Sequence, residues 1–354
     1  MIDTATETTS ISPWWRHSAI LVMIGGFSVL SFVTVLTYTN APPIPDQVTD
    51  GKGAVVFTGA DIQKGQEVFL KYGLMEHGSL WGHGAYLGPD YSAEYLHRLS
   101  EVTRDTIATE KYGKLFAQLS PDEQSAASAQ TITVLKENRY EPASRSLRLS
   151  PGEVAAYRTQ LPEWSEYFTV KDAAPGLPVN YIQDPADRKT LTAYFAWAAW
   201  AATANRPGKD YSYTNNWPYE PSVGNRPSTE AYVWSALSLI TLLSGIGLIL
   251  FVVGKFDYLG WKGEGGSAYM MHSALSSPKL SSSALKLTPS QWATGWFFAI
   301  VALLFLAQAF LGGLLAHYRV ETGAFYGFDI ARWLPYNLAR TWHLQLAIFW
   351  IATA

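Results

Sequence analysis

The sequence contains no cysteine. This absence excludes disulfide bonds, thiolate metal sites and the thioether bonds that attach a c-type haem. Charged residues are also scarce, at 16% of the chain, whereas a soluble domain has about 25%. The formal net charge of -3 gives no basis for binding nucleic acid. These shortages favour a membrane protein that uses no cysteine chemistry.

Apolar and aromatic residues are abundant instead, and they form long uncharged runs. The 14 Trp, 20 Tyr and 16 Phe suit a chain with several lipid–water boundaries. Residues 19–38, 231–253 and 291–316 are each long enough to cross a bilayer, and a fourth run begins near Leu338. We expect the first run to be an uncleaved anchor. It is longer than the apolar part of a signal peptide, and no clear small-x-small cleavage site follows it.

Basic residues predict which side of the membrane each segment faces. Lysines outnumber acidic residues in the loop 254–290, which indicates the cytoplasmic side. The residues that carry this argument are Lys255, Lys262, Lys279 and Lys286 against Asp257 and Glu264. The basic flank before the first run agrees with this side. Residues 42–227 then lie outside, as does the loop 318–337.

The region 42–227 is long enough for a core of its own and is predicted to be mainly α-helical. A cap at 58–61 predicts a helix start, and further helices are expected near 91–112 and 121–138. Residues 191–204 are apolar but too short to cross a bilayer, so we expect a buried or interfacial helix there.

Two histidines, His77 and His83, lie in a glycine-rich stretch that spans residues 71–90. Residue types alone favour two exposed loop histidines. The alternative is a metal site, for which Glu76 is the only nearby carboxylate.

Two further histidines lie in or beside the apolar runs. His317 ends the third run, and Glu321 lies four residues later on the same helix face. This pair either binds a polar headgroup and exchanges protons or only reaches out to water. His343 lies roughly 12 Å into a helix that starts at Pro335, at 1.5 Å per residue. It is either a haem iron ligand or a histidine hydrogen-bonded to another helix.

With these residues and six ordered motifs, the sequence resembles the N-terminal half of a quinol-dependent nitric oxide reductase, of the haem–copper oxidase superfamily. The motifs are FTGADIQKGQEVF, HGAYLGPD, YFAWAAWAATANRPG, YTNNWP, LLAHYRVE and NLARTWHLQLAIFW. The likeness covers essentially the whole chain. It implies the reduction of two nitric oxide molecules to nitrous oxide and water with electrons from membrane quinol, an electron-transport step of denitrification.

The resemblance also assigns site residues. It makes His343 an axial ligand of haem b and places Arg340 by the haem propionates. It assigns His317, Glu321 and Phe325 to the quinol. Haem b3 and the non-haem iron belong to later helices of the family.

For the external region, the resemblance implies a cytochrome c-like fold without haem c. In the related cytochrome subunit, a CxxCH motif stands where this chain has KYGLMEH. In that subunit, carbonyl groups of the Gly and Tyr of GAY help to bind calcium, and these positions are Gly84 and Tyr86 here. The family's other calcium ligand would lie beyond residue 354.

The resemblance implies three regions in a multi-pass protein of the bacterial inner membrane. These are a tail with the first transmembrane helix (1–41), a periplasmic cytochrome c-like domain (42–227) and the start of the catalytic membrane domain (228–354), with spans at about 231–253, 291–317 and 336–354. The expected partners are quinol, nitric oxide, the lipid bilayer, the remainder of the catalytic chain and, in a homodimer, a second copy.

We expect the chain to be part of a longer protein, because the last run ends in mid-helix. Two alternatives stay open. One is another quinol-linked haem–copper-type oxidase that reduces oxygen. The other is a non-catalytic fragment that only passes electrons.

Overall fold

The computed structural model describes residues 13–170, 174, 176–256, 289–321 and 325–354. The chain divides into two units, Met1–Pro43 and Ile44–Ala354. The first unit holds helix α1 (Pro13–Thr39), whose stretch Ile20–Thr39 is long and apolar enough to cross a membrane. The large apolar side chains of this stretch are exposed and not buried by the rest of the protein, as expected for a surface that faces lipid. A helix of the required length and apolarity therefore lies where the first span was predicted.

The second unit begins with a small sheet that was not predicted from the sequence. Its strand order is β2-β1-β6-β5, with β6 parallel to β1 and the other two pairs antiparallel. The strands are β1 (Gln47–Thr49), β2 (Val55–Thr58), β5 (Tyr140–Glu141) and β6 (Ser146–Arg148), while β3 (Ser79–Leu80) and β4 (His83–Gly84) form a separate hairpin. Val48 pairs with both Phe57 and Leu147, and all three side chains are buried.

The described residues of this domain also form the α-helices α2 (Gly59–Lys71), α3 (Tyr91–Tyr112), α4 (Pro121–Lys136), α5 (Pro151–Tyr167) and α6 (Pro185–Thr203). The predicted cap before α2 is confirmed. The Thr58 hydroxyl accepts from the backbone N–H of Asp61 at 3.2 Å, and the Asp61 carboxylate accepts from that of Thr58 at 2.8 Å. The helices predicted near 91–112 and 121–138 are confirmed as α3 and α4. Helix α5 was not predicted.

Helix α6 forms the centre of the domain and packs against α2, α3 and α5. The apolar stretch within it is buried, which confirms the expectation for residues 191–204. On α6, the Phe195 ring stacks on Tyr91 with centroids 4.8 Å apart and meets Trp164 at 4.9 Å. A Cβ on Gly65 of α2 would lie 2.2 Å from the Thr190 carbonyl oxygen, so glycine is what permits the close approach of α2 to α6.

After the domain, the described residues form α7 (Thr229–Phe256), α8 (Pro289–Glu321) and α9 (Tyr336–Thr353). The stretches Thr229–Val252 and Trp292–Tyr318 are long and apolar enough to cross a membrane, and they lie where the second and third spans were predicted. Helix α9 starts where the fourth run was predicted, packs against α8, and does not reach the same level of apolarity. Residues 257–288, which hold most of the predicted basic loop, lie outside the described residues.

Candidate functional site

His343 on α9 points at α8. Its ring nitrogen Nδ1 lies 2.9 Å from the backbone carbonyl oxygen of Gln308. A carbonyl only accepts hydrogen bonds, so this bond requires the proton on Nδ1 and leaves the lone pair on Nε2. The geometry is that of a histidine hydrogen-bonded to another helix. It is equally that of a metal-binding histidine, whose second nitrogen usually donates to a carbonyl or carboxylate.

Two residues of α8 shape this contact, and neither was predicted from the sequence. A Cβ on Gly312 would lie 3.1 Å from Cε1 of His343, so the glycine leaves room for the imidazole. The side-chain oxygen of Gln308 accepts from the Trp350 indole at 2.6 Å, so Gln308 bonds α9 through both backbone and side chain. A lone polar residue inside an apolar run was the available signal.

Aromatic rings gather around His317 near the end of α8. The centroid of the His317 ring lies 4.8 Å from the ring centroid of Phe325 and 4.4 Å from that of Tyr326. Tyr326 and Gly327 have positive φ angles of 50° and 81°, and Phe325 and Phe328 exchange backbone hydrogen bonds across them. This tight turn places Tyr326 against His317 while its side chain stays 71% exposed.

The structure thus brings together His317 and Phe325, two of the three residues predicted to hold quinol. It adds Tyr326, which no sequence motif singled out. Glu321 ends α8, and its side chain lies outside the described residues.

Arg340, predicted to face haem propionates, forms an ion pair with Glu76, which lies in the domain built from β1–β6 and α2–α6. The side chains are 28% and 29% exposed. One turn earlier, the Asn337 amide donates to the Tyr72 carbonyl at 2.9 Å and to the Tyr181 hydroxyl at 2.6 Å. The start of α9 is therefore bonded to the domain that precedes α7 in the sequence.

His77 is fully buried, which corrects the interpretation of two exposed loop histidines; His83 alone is exposed. The His77 Nε2 lies 2.9 Å from the Tyr167 hydroxyl, and its Nδ1 has no hydrogen-bond partner among the described residues. Burial lowers the pKa of His77 to about 4. The physical reason for the burial is Gly88, where a Cβ would lie 2.5 Å from the imidazole, so a glycine lets the loop close over the ring.

Of the two predicted calcium ligands, Gly84 ends β4 and Tyr86 lies in the loop that follows. Gly84 has a φ of 144°, and the next N–H, that of Ala85, donates to the Met75 and Gly78 carbonyls at 2.9 and 2.8 Å. The Tyr86 side chain is 80% exposed. Within the described residues, no three His, Asp or Glu side chains are grouped to hold a metal ion. Calcium binding through carbonyl oxygens stays a prediction.

Comparison with known proteins adds one finding. Residues 45–219, which run from β1 to the segment before α7, match the family model of the cytochrome c-like domain of NorB, a nitric oxide reductase protein. A search of curated proteins gives no match. The chain is therefore a membrane protein that carries this cytochrome c-like domain and is related through it to the NorB nitric oxide reductases.

Proposed function

We propose that this chain is the electron-input portion of a quinol-dependent nitric oxide reductase. Quinol would bind beside His317, and His343 would hold a haem b, which supplies one-electron transfer when bound. The observation that carries the proposal is the orientation of His343, whose Nδ1 is fixed by the Gln308 carbonyl so that Nε2 is available to a metal. The match of residues 45–219 to a nitric oxide reductase domain supports the choice of reaction.

The residues around His343 fit a haem b. The imidazole has a defined tautomer, and Gly312 leaves space next to it. Haem b, when bound, accepts and releases single electrons. The resemblance assigns haem b3, the non-haem iron and any further ligand of haem b to later helices of the family.

The residues around His77 do not fit a covalently bound haem c. The sequence has no cysteine to form the thioethers, and the nitrogen that would bind iron instead faces the Tyr167 hydroxyl. We therefore propose that the cytochrome c-like domain carries no haem c and that electrons enter from quinol.

The cluster at His317 suits a quinol headgroup. The imidazole can take a proton from a quinol hydroxyl, and Phe325 and Tyr326 offer flat ring faces. Glu321 lies one helical turn after His317 and would accept the other proton. The balance closes, because one quinol supplies the two electrons and two protons that convert two nitric oxide molecules to nitrous oxide and water.

We further propose that the cytochrome c-like domain is periplasmic and that the protein lies in a bacterial inner membrane. The basic loop supports this sidedness. The quinol cluster and the start of α9 would then lie near the periplasmic boundary.

The first test replaces the proposed haem ligand. In the complete protein, His343→Ala should abolish the absorption spectrum of low-spin haem b, because no other side chain would bind the iron at that position. Gln345→Ala, which changes an exposed polar residue on the same helix, should keep the spectrum. A normal low-spin spectrum in His343→Ala would refute the ligand role.

The second test separates quinol oxidation from haem chemistry. We expect His317→Ala to lower quinol-driven turnover by about 10²-fold or more, since positioned acid–base groups contribute about that much. Turnover with an artificial electron donor should be unaffected. His83→Ala, at an exposed histidine of the domain, is the control. Unchanged quinol kinetics in His317→Ala would contradict the assignment.

A further inference from the structure

The start of α9 is bonded to the cytochrome c-like domain at several points, and the proposed function gives these contacts no role. We call this contact the α9 dock. It consists of Tyr72, Gly73, Glu76 and Tyr181 from the domain and Asn337 and Arg340 from α9. Two of the six residues, Glu76 and Arg340, carry charge, and they pair with each other.

The Glu76–Arg340 ion pair is more than a surface contact. Both side chains are about seven-tenths buried, and the two residues are 264 positions apart in the sequence. An exposed ion pair contributes about 0–1 kcal/mol, but removing one partner of a more buried pair leaves the other charge poorly solvated. The pair therefore favours one position of α9 against the domain.

Asn337 supplies the directional part of the α9 dock. Its amide reaches two acceptors, Tyr72 and Tyr181, and the Tyr181 hydroxyl itself donates to the Tyr72 carbonyl at 3.0 Å. Gly73 adopts a left-handed conformation with a φ of 58°, and a Cβ there would lie 3.0 Å from the Asn337 amide nitrogen. Glycine tolerates this φ and has no Cβ that would crowd the amide, so the backbone at Gly73 leaves room for the Asn337 side chain.

The α9 dock lies close to His343 along the helix. Arg340 precedes His343 by three residues, so the two are neighbours on the helix surface. A helix is stiff over so short a distance. Fixing Asn337 and Arg340 therefore fixes both the rotation of α9 about its axis and the depth of the His343 imidazole relative to the Gln308 carbonyl.

From this geometry we propose that Glu76 and Asn337 are positioning residues, through which the cytochrome c-like domain sets the orientation of the His343 imidazole. The domain then acts as a support for the helix that binds haem. The role of His343 as a ligand rests on the proposed function, whereas the docking of α9 does not.

The cysteine-free sequence allows a direct test of the docking. The Cβ built on Gly73 lies 3.8 Å from the Cβ of Asn337, which matches the mean Cβ–Cβ distance of about 3.8 Å in disulfides. In the complete protein, Gly73→Cys with Asn337→Cys should lose both thiols under mild oxidation. Gly113→Cys with Asn337→Cys should keep two thiols. Two titratable thiols in the first pair would overturn the docking, whatever His343 binds.

The second test addresses positioning. Electron paramagnetic resonance g-values of a low-spin haem report the orientation of its axial imidazole. Glu76→Gln should change these g-values while the haem stays bound, and Glu76→Asp should return them towards those of the unmodified protein. Glu67→Gln, which breaks the exposed pair with Lys64, is the control and should change nothing. Asn337→Ser serves if Glu76→Gln does not accumulate.

The outcomes separate the two proposals. Unchanged g-values in Glu76→Gln and Asn337→Ser, together with loss of the haem in His343→Ala, would overturn the positioning role and leave the proposed function intact. A retained low-spin haem in His343→Ala would overturn the proposed function, and the thiol test would still decide the docking.

Discussion

At the scale of single residues, two histidines of the cytochrome c-like domain show how surroundings set the charge of an imidazole. His77 lies among aromatic rings with the Tyr167 hydroxyl as its hydrogen-bond partner, and burial lowers its pKa to about 4. His97 lies 2.9 Å from the Glu220 carboxylate, and that hydrogen bond raises its pKa. The two residues therefore depend on pH in opposite directions.

We expect His77 to make the domain sensitive to acid. The folded state keeps the imidazole neutral down to about pH 4, while the unfolded chain protonates it below about 6.5. Stability from this group is thus complete above pH 6.5 and is lost as pH falls towards 4, by about 3 kcal/mol in total. Thermal unfolding of the complete protein and of His77→Gln across this range measures the difference.

The matched variant is His97→Gln. In the original protein the folded state raises the pKa of His97. The stability that this imidazole contributes is therefore present at low pH and is lost as pH rises through the folded pKa. The original protein should therefore be more stable against unfolding than His97→Gln at low pH, and this difference in stability should disappear at alkaline pH. A parallel acid response of His77→Gln and the original protein would contradict the account of His77.

The candidate site also shows the limit of prediction at this scale. The position of His343 within a helix and the closeness of His317 and Phe325 could be anticipated from motifs. The parts played by Gln308, Tyr326 and Glu76 could not. They depend on the rotation of α8 and α9 and on a turn with positive φ angles, and neither is specified by spacing along one helix.

At the scale of secondary-structure elements, the sequence correctly predicted helix starts, because these depend on side chains that lie next to them in the sequence. The capping box before α2 and the starts of α3 and α4 follow from side chains that bond the first turn of their own helix. The sheet depends instead on pairing between strands of two to four residues. Its strands β1 and β6 pair although they lie far apart in the sequence. Such short strands show no readable alternation.

One buried ion pair connects the first turn of α5 with Arg139. Glu153 caps α5 through Ser150 and pairs with Arg139, and the two side chains are only 4% and 9% exposed. Arg139→Met should destabilise the domain by about 3–5 kcal/mol, because the Glu153 carboxylate would stay buried without its counter-charge. Urea unfolding of the complete protein, followed by tryptophan fluorescence, measures the change.

The control is Arg145→Met. Arg145 pairs with Asp46 at 3.1 Å, but both side chains are 63% exposed, so the loss should be at most about 1 kcal/mol. Equal losses in the two variants would show that burial does not govern the Arg139–Glu153 pair.

At the scale of the whole molecule, the proposed sidedness can be tested because the chain has no native cysteine. Ala126→Cys places a thiol on an exposed position of α4, and Ser277→Cys places one in the basic loop. In intact cells with a permeable outer membrane, a maleimide that cannot cross the inner membrane should label Ala126→Cys only. After the inner membrane is opened, both should be labelled. Labelling of Ser277→Cys in intact cells would reverse the assignment.

The pairing of β1 with β6 also has a consequence for synthesis. About a hundred residues separate the two strands, and β1 lies between β2 and β6 in the sheet. While the chain grows, β1 can pair with β2 but keeps one open edge until residue 148 has emerged from the ribosome. The central helix α6 comes later still. The nascent chain must therefore shield an unpaired strand edge and an unfilled core during most of the time in which the domain is made.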